Sequence, residues 1–414
     1  MVPGNSEIKT LGSLQEEQGP QTEAFRKIVF PFAIAETLVW ASYYYSFPAL
    51  LPAWEVDLGF SKMTLTGAFT LSLIVSAVLA PLVGRLIDYG QGRMVFAGGA
   101  GLAALLLLLL SQVTEVWQFY AVWFGIGIAM SGSLYEACFA IITYSMGTKA
   151  KRAITIVTLI AGFAGTVSFP SAHFLTQFFD WRVTVICYAA IIVIFCIPLI
   201  LYGCHHASKQ ARHSAPKPSV SISKALVVTR APTFWLLGLT FCLFAFDHGI
   251  VISHMLPLLA DRGLTDDLAV LAASMIGPMQ VLGRLTMLIF EKHVSVFSIC
   301  CACFGSVFVA SWALFFAGVT PILIIFFVIF QGAGYGVLSI IRPTVISELL
   351  GRKDFGIIAG LVSIGYMGGL AFAPIIASFL WEIGGYDIVI MTLIGVPIAA
   401  VLSLVSAWKF RPTL

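Results

Sequence analysis

Residues 84–94, GRLIDYGQGRM, concentrate three glycines, two arginines and one aspartate in eleven positions. They lie between long apolar runs in a chain of 414 residues, of which 59% are hydrophobic and only 10% are charged. A short polar loop between apolar runs is the expected connection between two membrane-spanning helices, each of which needs about 20 mostly apolar residues. The composition therefore excludes an ordinary soluble protein and predicts an integral membrane protein.

Apolar segments of this length recur along the whole chain, and none alternates like the strand of a membrane barrel. We predict twelve spanning helices, at 28–54, 61–84, 94–113, 116–146, 153–178, 182–204, 232–260, 267–290, 294–317, 320–349, 355–381 and 387–409. A basic, proline-containing segment divides them equally. The predicted organisation is a tail at 1–27, a six-helix bundle at 28–204, a linker at 205–231 and a second six-helix bundle at 232–410.

Lysine and arginine fall unevenly on the two sides of the predicted helices. With the N-terminus in the cytoplasm, 18 of them lie on the cytoplasmic side and three, Lys62, Arg182 and Arg262, lie on the other. This bias follows the positive-inside rule and predicts that both termini are cytoplasmic, in the plasma or inner membrane of a cell. The first apolar run is longer than the core of a signal peptide, so we expect it to remain as a helix.

The two predicted bundles share short sequence features. Gly-Arg-Leu occurs at 84–86 and again at 283–285, near the end of the second helix of each bundle. One constant offset of 204 residues also relates three pairs of positions: Gly147 and Gly351, Gly165 and Gly369, and Pro170 and Pro374. Together with the equal helix counts, these matches predict two pseudo-symmetric copies of one bundle.

The loop at 84–94 resembles the motif between the second and third helices of the major facilitator superfamily of transporters. Gly84, Asp88, Gly92 and Arg93 occupy the glycine, aspartate, glycine and arginine positions of that motif. The FDWR sequence at 179–182 is similar to another feature of the family. The resemblance covers all twelve predicted helices and implies alternating access between two bundles.

We interpret these four loop residues as a conformational latch. Gly84 lets two helices approach closely, and Asp88 can accept hydrogen bonds at a helix N-terminus, where its charge is favoured by about 0.3–1 kcal/mol. Arg93 is placed to pair with Asp88. The alternative is a loop that only sets the topology.

Arginines inside the predicted helices are the candidates for substrate contact, because a charge at a helix centre costs at least ~2.5 kcal/mol and so marks a functional position. Arg284 lies in the eighth helix and Arg342 in the tenth, where Pro343 frees backbone polar groups beside it. Either arginine can bind a carboxylate. Either can instead be a structural ion-pair partner of Glu136 or Glu348.

Acidic groups inside the predicted helices are the candidates for proton coupling. Glu36 lies in the first helix and Glu136 in the fourth, where desolvation favours the neutral form unless the carboxylate pairs with an arginine. Asp247 and His254 lie seven residues apart on one face of the seventh helix, which suits a coupling pair. The alternative is that Asp247 binds backbone at a kink near Gly249.

Three consecutive tyrosines, at 43–45, point in different directions around the first helix, so at least one hydroxyl is expected to face the interior. We select Tyr43 and Tyr44 as substrate-binding candidates. Within the superfamily, YYSFPALLP at 44–52, Arg284 and GYGVLSIIRP at 334–343 look most like the monocarboxylate and oxalate–formate branch. That resemblance implies that Arg284 pairs with a carboxylate. The usually acidic position one turn earlier is Gln280 here, a further candidate for substrate contact.

The sequence thus predicts a monomeric secondary transporter for a small organic anion, with proton symport. The first alternative is a transporter of a larger aromatic or amphipathic compound, such as a vitamin or drug. The second is a membrane enzyme or a receptor, although no phosphate-binding loop, catalytic motif or metal-ligand spacing is present. Neither a cofactor, a metal nor nucleic acid is expected.

Overall fold

The computed structural model describes residues 23, 25–211, 226–291, 293–351 and 355–411. Residues 212–225 of the predicted linker, and most of the predicted tail at 1–27, lie outside this range. Twelve long helical segments follow one another in the described residues: α1 at 25–58, α2 at Lys62–Leu86, α3 at Gly92–Leu110, α4 at Val116–Met146, α5 at Ala150–Phe178, α6 at Trp181–Gln210, α7 at Pro232–Ser253, α8 at Asp266–Phe290, α9 at Val296–Phe316, α10 at Leu323–Leu350, α11 at 355–383 and α12 at 386–409. A short helix at Met255–Asp261 extends α7.

The count of membrane crossings depends on where continuous helices turn back. By length and apolar character, eight helices of the described residues can cross a membrane, or nine with the bent helix α10 included. Two of the eight run for 49 and 52 residues, more than twice the ~20 residues of one crossing. They break at Gly90 (φ 84°) and Gly385 (φ 69°), where the missing side chain permits a left-handed turn. The two breaks divide these two helices into four crossings. The six other helices, the bent α10 and α1 bring the total to twelve, and the predicted all-helical fold is confirmed.

Several helices begin at polar caps that the sequence places between the apolar runs. Ser61 accepts a hydrogen bond from the backbone N–H of Thr64 at 3.1 Å at the start of α2. Asp180, in the FDWR sequence, accepts one from the N–H of Val183 at 2.8 Å at the start of α6. Such caps satisfy N–H groups that a helix leaves without an internal partner.

The fourth helix of each half is interrupted at equivalent depth. Helix α4 breaks at Leu134 (φ −101°, ψ −166°), directly after Ser133, whose hydroxyl donates to the Ala129 carbonyl at 2.5 Å. Helix α10 bends by 46° between Leu338 and Ile340, where Pro343 cannot donate to the carbonyl four residues before it. Leu134 and Leu338 are separated by the offset of 204 that relates the two halves in the sequence. Interrupted helices at membrane depth are typical of binding sites in transporters.

The offset of 204 residues also relates packing positions. Gly147 (φ 53°) and Gly351 (φ 87°) both make left-handed turns after the fourth helix of their half. In α5, a Cβ added at Gly165 would lie 3.4 Å from the ring of Tyr45 in α1. In α11, Gly369 packs in the same way against the backbone of Cys242 in α7. Each glycine therefore lets the fifth helix of its half approach the first.

The helix termini define two ends of the bundle. We call the end with the helix termini near 86–92, 146–150, 290–296 and 350–355 the linker end, because residues 205–231 connect there. The opposite end, with termini near 58–62, 178–181, 261–266 and 383–386, is the distal end.

Helices α2 and α11 meet at the distal end. Lys62, which is buried, forms an ion pair with Glu55 at 3.1 Å and lies 4.4 Å from the ring centroid of Trp381. One turn further along α2, the hydroxyls of Thr66 and Ser378 lie 2.7 Å apart. A buried ammonium group against an aromatic face gains cation–π stabilisation. These contacts hold the halves together at this end.

Helices α5 and α8 form the second seam between the halves. His173 and Asp267 lie 2.8 Å apart at the distal end, and the Thr166 hydroxyl donates to the Ser274 carbonyl at 2.7 Å. Near the middle of the membrane, a Cβ at Gly277 would lie 2.5 Å from a backbone oxygen of α5. Only glycine permits this close approach.

Candidate functional site

Six side chains from both halves cluster near Arg284, where the bundles meet. Each of them either lies deep in the protein or contacts a deeply placed side chain, and each is partly accessible. The six residues are Tyr45, Tyr135, Glu136, Tyr335, Arg342 and Tyr366. We call this set the recess. Helical irregularities position it, because Tyr45 follows a π-helical turn in α1, Tyr135 and Glu136 follow the break in α4, and Arg342 follows the bend in α10.

Arg284 lies at the junction of the halves, beside the recess. Its Nη1 donates to the Thr158 carbonyl of α5 at 2.8 Å, and its Nε donates to the Gly336 carbonyl of α10 at 3.2 Å. The side chain is 6% exposed. It interacts electrostatically with four tyrosines, namely Tyr45, Tyr135, Tyr335 and Tyr366. Arg284 therefore links α8 to both halves, and its contact with substrate stays a prediction.

Arg342 is the arginine that the recess leaves accessible. Its guanidinium carbon lies 4.2 Å from the ring centroid of Tyr366, and the side chain is half-buried. It forms no ion pair with any residue that the structure describes, so the expected alternative of a pair with Glu136 or Glu348 is not formed. Glu136 interacts with it electrostatically from a greater distance.

The two acids of the first half have different environments. Glu36 is fully buried within the first bundle, where its Oε2 accepts a hydrogen bond from Trp40 Nε1 at 3.0 Å. Glu136 lies in the first turn after the break in α4 and remains accessible from the recess. A carboxylate near a helix N-terminus is stabilised by the helix dipole. Of these two candidates, only Glu136 borders the recess.

The tyrosine run of α1 divides between core and recess. The Tyr43 hydroxyl lies 2.6 Å from that of Ser133 in a fully buried contact. Tyr44 packs against Trp40 and Phe69, with ring centroids 4.6 and 5.5 Å apart. The prediction of Tyr43 and Tyr44 therefore does not match the geometry, since the π-helical turn at 40–44 places Tyr45 at the recess instead.

Gln280 lies one turn before Arg284 and is buried against α10. Its backbone packs on Gly336, where an added Cβ would lie 2.7 Å from the Gln280 Cα. With Tyr45 and Gly277, Gln280 also borders a cavity of about 10 Å³ between the halves. This space accommodates about one water molecule at most.

Asp247 and His254 do not come together, although both are buried. Asp247 accepts a hydrogen bond from Gln331 Nε2 of α10 at 3.1 Å, so it is not bound to backbone near Gly249. Helix α7 ends at Ser253, and His254 begins a new turn in which its Nδ1 lies 3.1 Å from the Tyr386 hydroxyl. The expected coupling pair is thus replaced by two separate hydrogen-bond networks.

His254 belongs to the distal contacts between the halves. Its Nε2 lies 3.2 Å from both the Pro374 carbonyl and the Ser378 hydroxyl. Ser378 in turn contacts Thr66 of α2, so the imidazole supports the junction of α2 and α11. Its position favours a structural role in closing the distal end.

The loop at 84–94 is exposed at the linker end. Asp88 and Arg93 are both exposed and form no ion pair with each other, and a Cβ at Gly84 would have nothing within 4 Å. Gly92 is the glycine in close contact, 3.0 Å from Ile141 of α4. The predicted pair and the predicted contact at Gly84 are therefore absent from this conformation, in which Gly92 makes the close contact of the loop.

Sequence reasoning missed four residues that the structure places in or beside the recess. Tyr335 and Tyr366 share a hydrogen bond with hydroxyls 2.6 Å apart, Tyr135 stacks on Phe139, and Gln331 binds Asp247. The available signal was the spacing in α10, because residues 331, 335 and 342 lie on one face of a helix. Tyr335 and Tyr366 also stand among glycines, which favour close helix contact.

Comparison with known proteins adds to this geometry. A family model described as Major Facilitator Superfamily matches residues 32–304, more than half of the chain. The MFS transporter asaE of Aspergillus flavus is 24% identical over 337 residues, which cover 78% of this chain and 73% of that protein.

Crystal structures of the nucleoside transporter NupG share the fold. A mutant of NupG has a TM-score of 0.72 at 14% identity and covers 93% of this chain and 100% of its own. A second NupG structure has a TM-score of 0.66 at 16% identity and covers 92% and 98% of the two chains. At these identities the likeness concerns the fold alone.

Proposed function

Because the chain belongs to the Major Facilitator Superfamily, we propose that it is a secondary transporter that carries a small organic anion of the monocarboxylate kind by alternating access, together with protons. Its arrangement as a multi-pass membrane protein with two joined bundles suits this activity. The substrate class and the coupling ion are the parts of the proposal that experiments must test.

The accessible charge of Arg342 is the observation that carries the substrate class. A half-buried guanidinium without an ion-pair partner in the described residues retains donors that can bind a carboxylate in a bidentate manner. The ring of Tyr366 supports one face of the guanidinium and leaves its edge available. Arg284 lies behind this position and adds positive potential to the recess.

Proton coupling is proposed for the buried carboxylates. Asp247 and Glu36 are buried without an ion pair among the described residues, and Glu136 borders the recess opposite Arg342. Acidic groups inside a membrane protein are costly and are typical of proton pathways. We assign Asp247 the coupling role in the second half and keep Glu36 and Glu136 as candidates in the first.

We further propose that the linker end faces the cytoplasm and that the protein acts as a monomer in the plasma or inner membrane. The excess of lysine and arginine at the linker end supports this orientation. In this orientation the structure is closed toward the outside. The recess then corresponds to a site approached from the cytoplasm.

Tyrosines around the arginines favour a second candidate substrate. Tyr45, Tyr135, Tyr335 and Tyr366 all interact with Arg284 and present aromatic rings to the same space. Such rings stack on planar ligands. A larger aromatic compound, charged or neutral, is therefore the alternative to a small carboxylate.

Thermal unfolding of the purified protein tests the proposal with matched probes. Lactate and phenylacetate carry a carboxylate, whereas lactamide and phenylacetamide are nearly the same size and neutral, and uridine is a neutral ring compound. A ligand at 100 times its Kd stabilises a protein by about 2.7 kcal/mol. We expect stabilisation by the acids and not by their amides.

Two arginine variants complete this test. Arg342→Gln should lose the stabilisation by acids, whereas Arg85→Gln, at an exposed position outside the recess, should retain it. Equal stabilisation by acids and amides would contradict anion recognition. A response to uridine or to both phenyl compounds, unchanged in Arg342→Gln, would favour the aromatic alternative.

A further inference from the structure

We propose that a buried cluster between α7 and α10 holds the coupling proton, and that two tyrosines pass its state to the recess. The cluster consists of Asp247, His248 and Gln331, and the positioning residues are Tyr335 and Tyr366. This inference rests on the proposed function, because it gives the coupling proton a binding site and a connection to the anion site. His248 and Gln331 have no role in the proposed function, and Tyr335 and Tyr366, which line the recess, receive here a second role in proton coupling.

The cluster contains three buried polar atoms that have no hydrogen-bond partner in the described part of the chain. They are Asp247 Oδ1, His248 Nδ1 and Gln331 Oε1. The three side chains are 1%, 4% and 1% exposed. Because buried polar atoms are almost always satisfied in folded proteins, the free oxygens of the hydrogen-bonded pair Asp247 and Gln331 indicate a site for a small ligand, and the free His248 nitrogen belongs to the adjacent residue of α7.

The charge of Asp247 indicates what kind of ligand the cluster takes. Among the described residues Asp247 forms no ion pair, and its Oδ2 accepts only the neutral amide of Gln331. A buried carboxylate without a cationic partner carries a desolvation penalty of several kcal/mol, which a bound positive charge removes. Two free oxygens and one nitrogen are too few for a hard metal cation such as Ca²⁺, which takes six or more oxygen ligands. These few free atoms suit the binding of a proton.

The cluster is connected to the recess through ring contacts. The His248 ring stacks on the Tyr335 ring with centroids 3.3 Å apart and planes 9° apart. The Tyr335 hydroxyl lies 2.6 Å from the Tyr366 hydroxyl, and the Tyr366 ring lies under Arg342. Four contacting side chains thus join the cluster to the proposed anion-binding arginine.

Helix α10 provides a second connection. Gln331, Tyr335 and Arg342 lie on one helical face, and the bend of 46° falls between Tyr335 and Arg342. A proton on Asp247 makes Oδ2 a neutral acceptor and weakens the charge-assisted hydrogen bond from Gln331. A change at Gln331 can therefore reach the hinge of α10 and reorient Arg342.

The groups that face Asp247 from the packed helices are few. His248 is its neighbour in α7, Gln331 faces it from α10, and Tyr335 of α10 stacks on His248 and meets Tyr366 of α11. In the described residues no arginine, lysine or second carboxylate forms an ion pair with the cluster. Asp247 is therefore the group whose charge changes.

Infrared difference spectra recorded between low and high pH test the proton site without any substrate. The wild type should show the band of a protonated buried carboxyl group that titrates with pH. Asp247→Asn should lose this band, Gln331→Leu should keep it at a shifted frequency, and Glu382→Gln, at an exposed carboxylate, should leave it unchanged. A full band in the Asp247→Asn variant would overturn the proposed site. Loss of the wild-type band on addition of Na⁺ at constant pH would show that the site binds a metal cation instead of a proton.

The pH dependence of phenylacetate binding tests the two positioning residues. If one proton binds with each anion, the apparent Kd of the wild type should change about tenfold per pH unit. Tyr335→Phe and Tyr366→Phe should retain the infrared band of Asp247 and bind phenylacetate with a flat pH profile. Tyr202→Phe, which removes an exposed hydroxyl outside the recess, should behave like the wild type.

The infrared and binding experiments distinguish failure of the proton site and its tyrosine connection from failure of the proposed anion transport. Tyr335→Phe and Tyr366→Phe proteins with the wild-type pH profile would overturn the connection, while proton coupling by Asp247 would stand. If phenylacetate and lactate do not bind the wild type at any pH, the anion proposal fails. In that case the infrared spectra still decide whether Asp247 binds a proton.

Discussion

The distal end and the linker end of the bundle differ in how the halves meet. At the distal end, Lys62 contacts Trp381 and Thr66 contacts Ser378 across the gap between α2 and α11. At the linker end, the loop that contains Asp88 is exposed, and the Asp88 side chain makes no hydrogen bond or ion pair in the described residues. Among the described residues, the polar contacts between α2 and α11 therefore lie at the distal end and not at the loop.

Under the proposed alternating-access function, this difference corresponds to one of the two states. Polar contacts between the halves run from the distal end to Thr158 and Arg284, which lie nearer to the linker end. A rocking motion that opens the distal end has to break these contacts and form new ones at the linker end. The latch role of Asp88 and Arg93 therefore belongs to the opposite state and stays a prediction.

Locking the distal end should give the largest effect. Thr66→Cys combined with Ser378→Cys places two sulfur atoms where hydroxyls lie 2.7 Å apart, within reach of a disulfide bond. Oxidation should stop exchange almost completely, and reductant should restore it, as measured by counterflow in liposomes. Each single variant, oxidised in the same way, should keep its activity. Full exchange by the crosslinked protein would show that the distal end need not open.

Removing the buried charge of Lys62 should give the next largest effect. Lys62→Met leaves Glu55 without its partner and removes the contact with Trp381, so we expect a loss of ~2–4 kcal/mol in stability. Thermal unfolding of the purified protein measures this loss, and the double variant with Glu55→Gln should recover part of it. An unchanged unfolding temperature would show that the distal contacts contribute little.

Two glycines provide a matched comparison of seam and loop. A Cβ at Gly277 would lie 2.5 Å from an α5 backbone oxygen, so Gly277→Ala should cost ~1–3 kcal/mol by forcing α5 and α8 apart. Gly84 has open space around it, so Gly84→Ala should change stability by less than ~1 kcal/mol. Unfolding measurements on both variants decide the comparison. Equal costs would mean that Gly84 packs closely in the populated state.

Neutralising Asp88 should have the smallest effect on stability and a selective effect on rate. Asp88 is exposed, so Asp88→Asn should change stability by no more than ~0.5 kcal/mol. If Asp88 acts in the opposite state, turnover should slow equally for every transported compound. Initial rates for two substrates measure this, and a change in their ratio would contradict a role in the motion.

The fold was predictable because membrane crossing constrains both length and composition. Twelve apolar runs and the constant offset of 204 residues were visible in the sequence, and the offset recurs in the left-handed turns at Gly147 and Gly351. The polar caps at Ser61 and Asp180 were likewise local features. Such properties depend on neighbouring residues along the chain and on the bilayer, so they need no knowledge of tertiary contacts.

The candidate site was predictable only in part. Arg284, Arg342 and Asp247 were marked by the cost of placing a charge in a membrane, and the structure locates Arg342 in the recess. Of the three tyrosines at 43–45, Tyr45 is the one at the recess in this conformation, because a π-helical turn changes which face the following residue occupies, and a substrate role of Tyr43 and Tyr44 stays a prediction. The spacing of Tyr335 from Arg342 was visible in the sequence, but its contact with Tyr366 depends on another helix and was not.

Counterflow tests the central claim, anion transport through Arg342, most directly. Liposomes that contain the protein are loaded with the acid that stabilises it most, and entry of the same radiolabelled acid is followed against protein-free liposomes. We expect rapid exchange by the wild type and by Arg85→Gln, and almost none by Arg342→Gln. Exchange by Arg342→Gln at the wild-type rate, or exchange of the neutral amide as fast as the acid, would contradict the account.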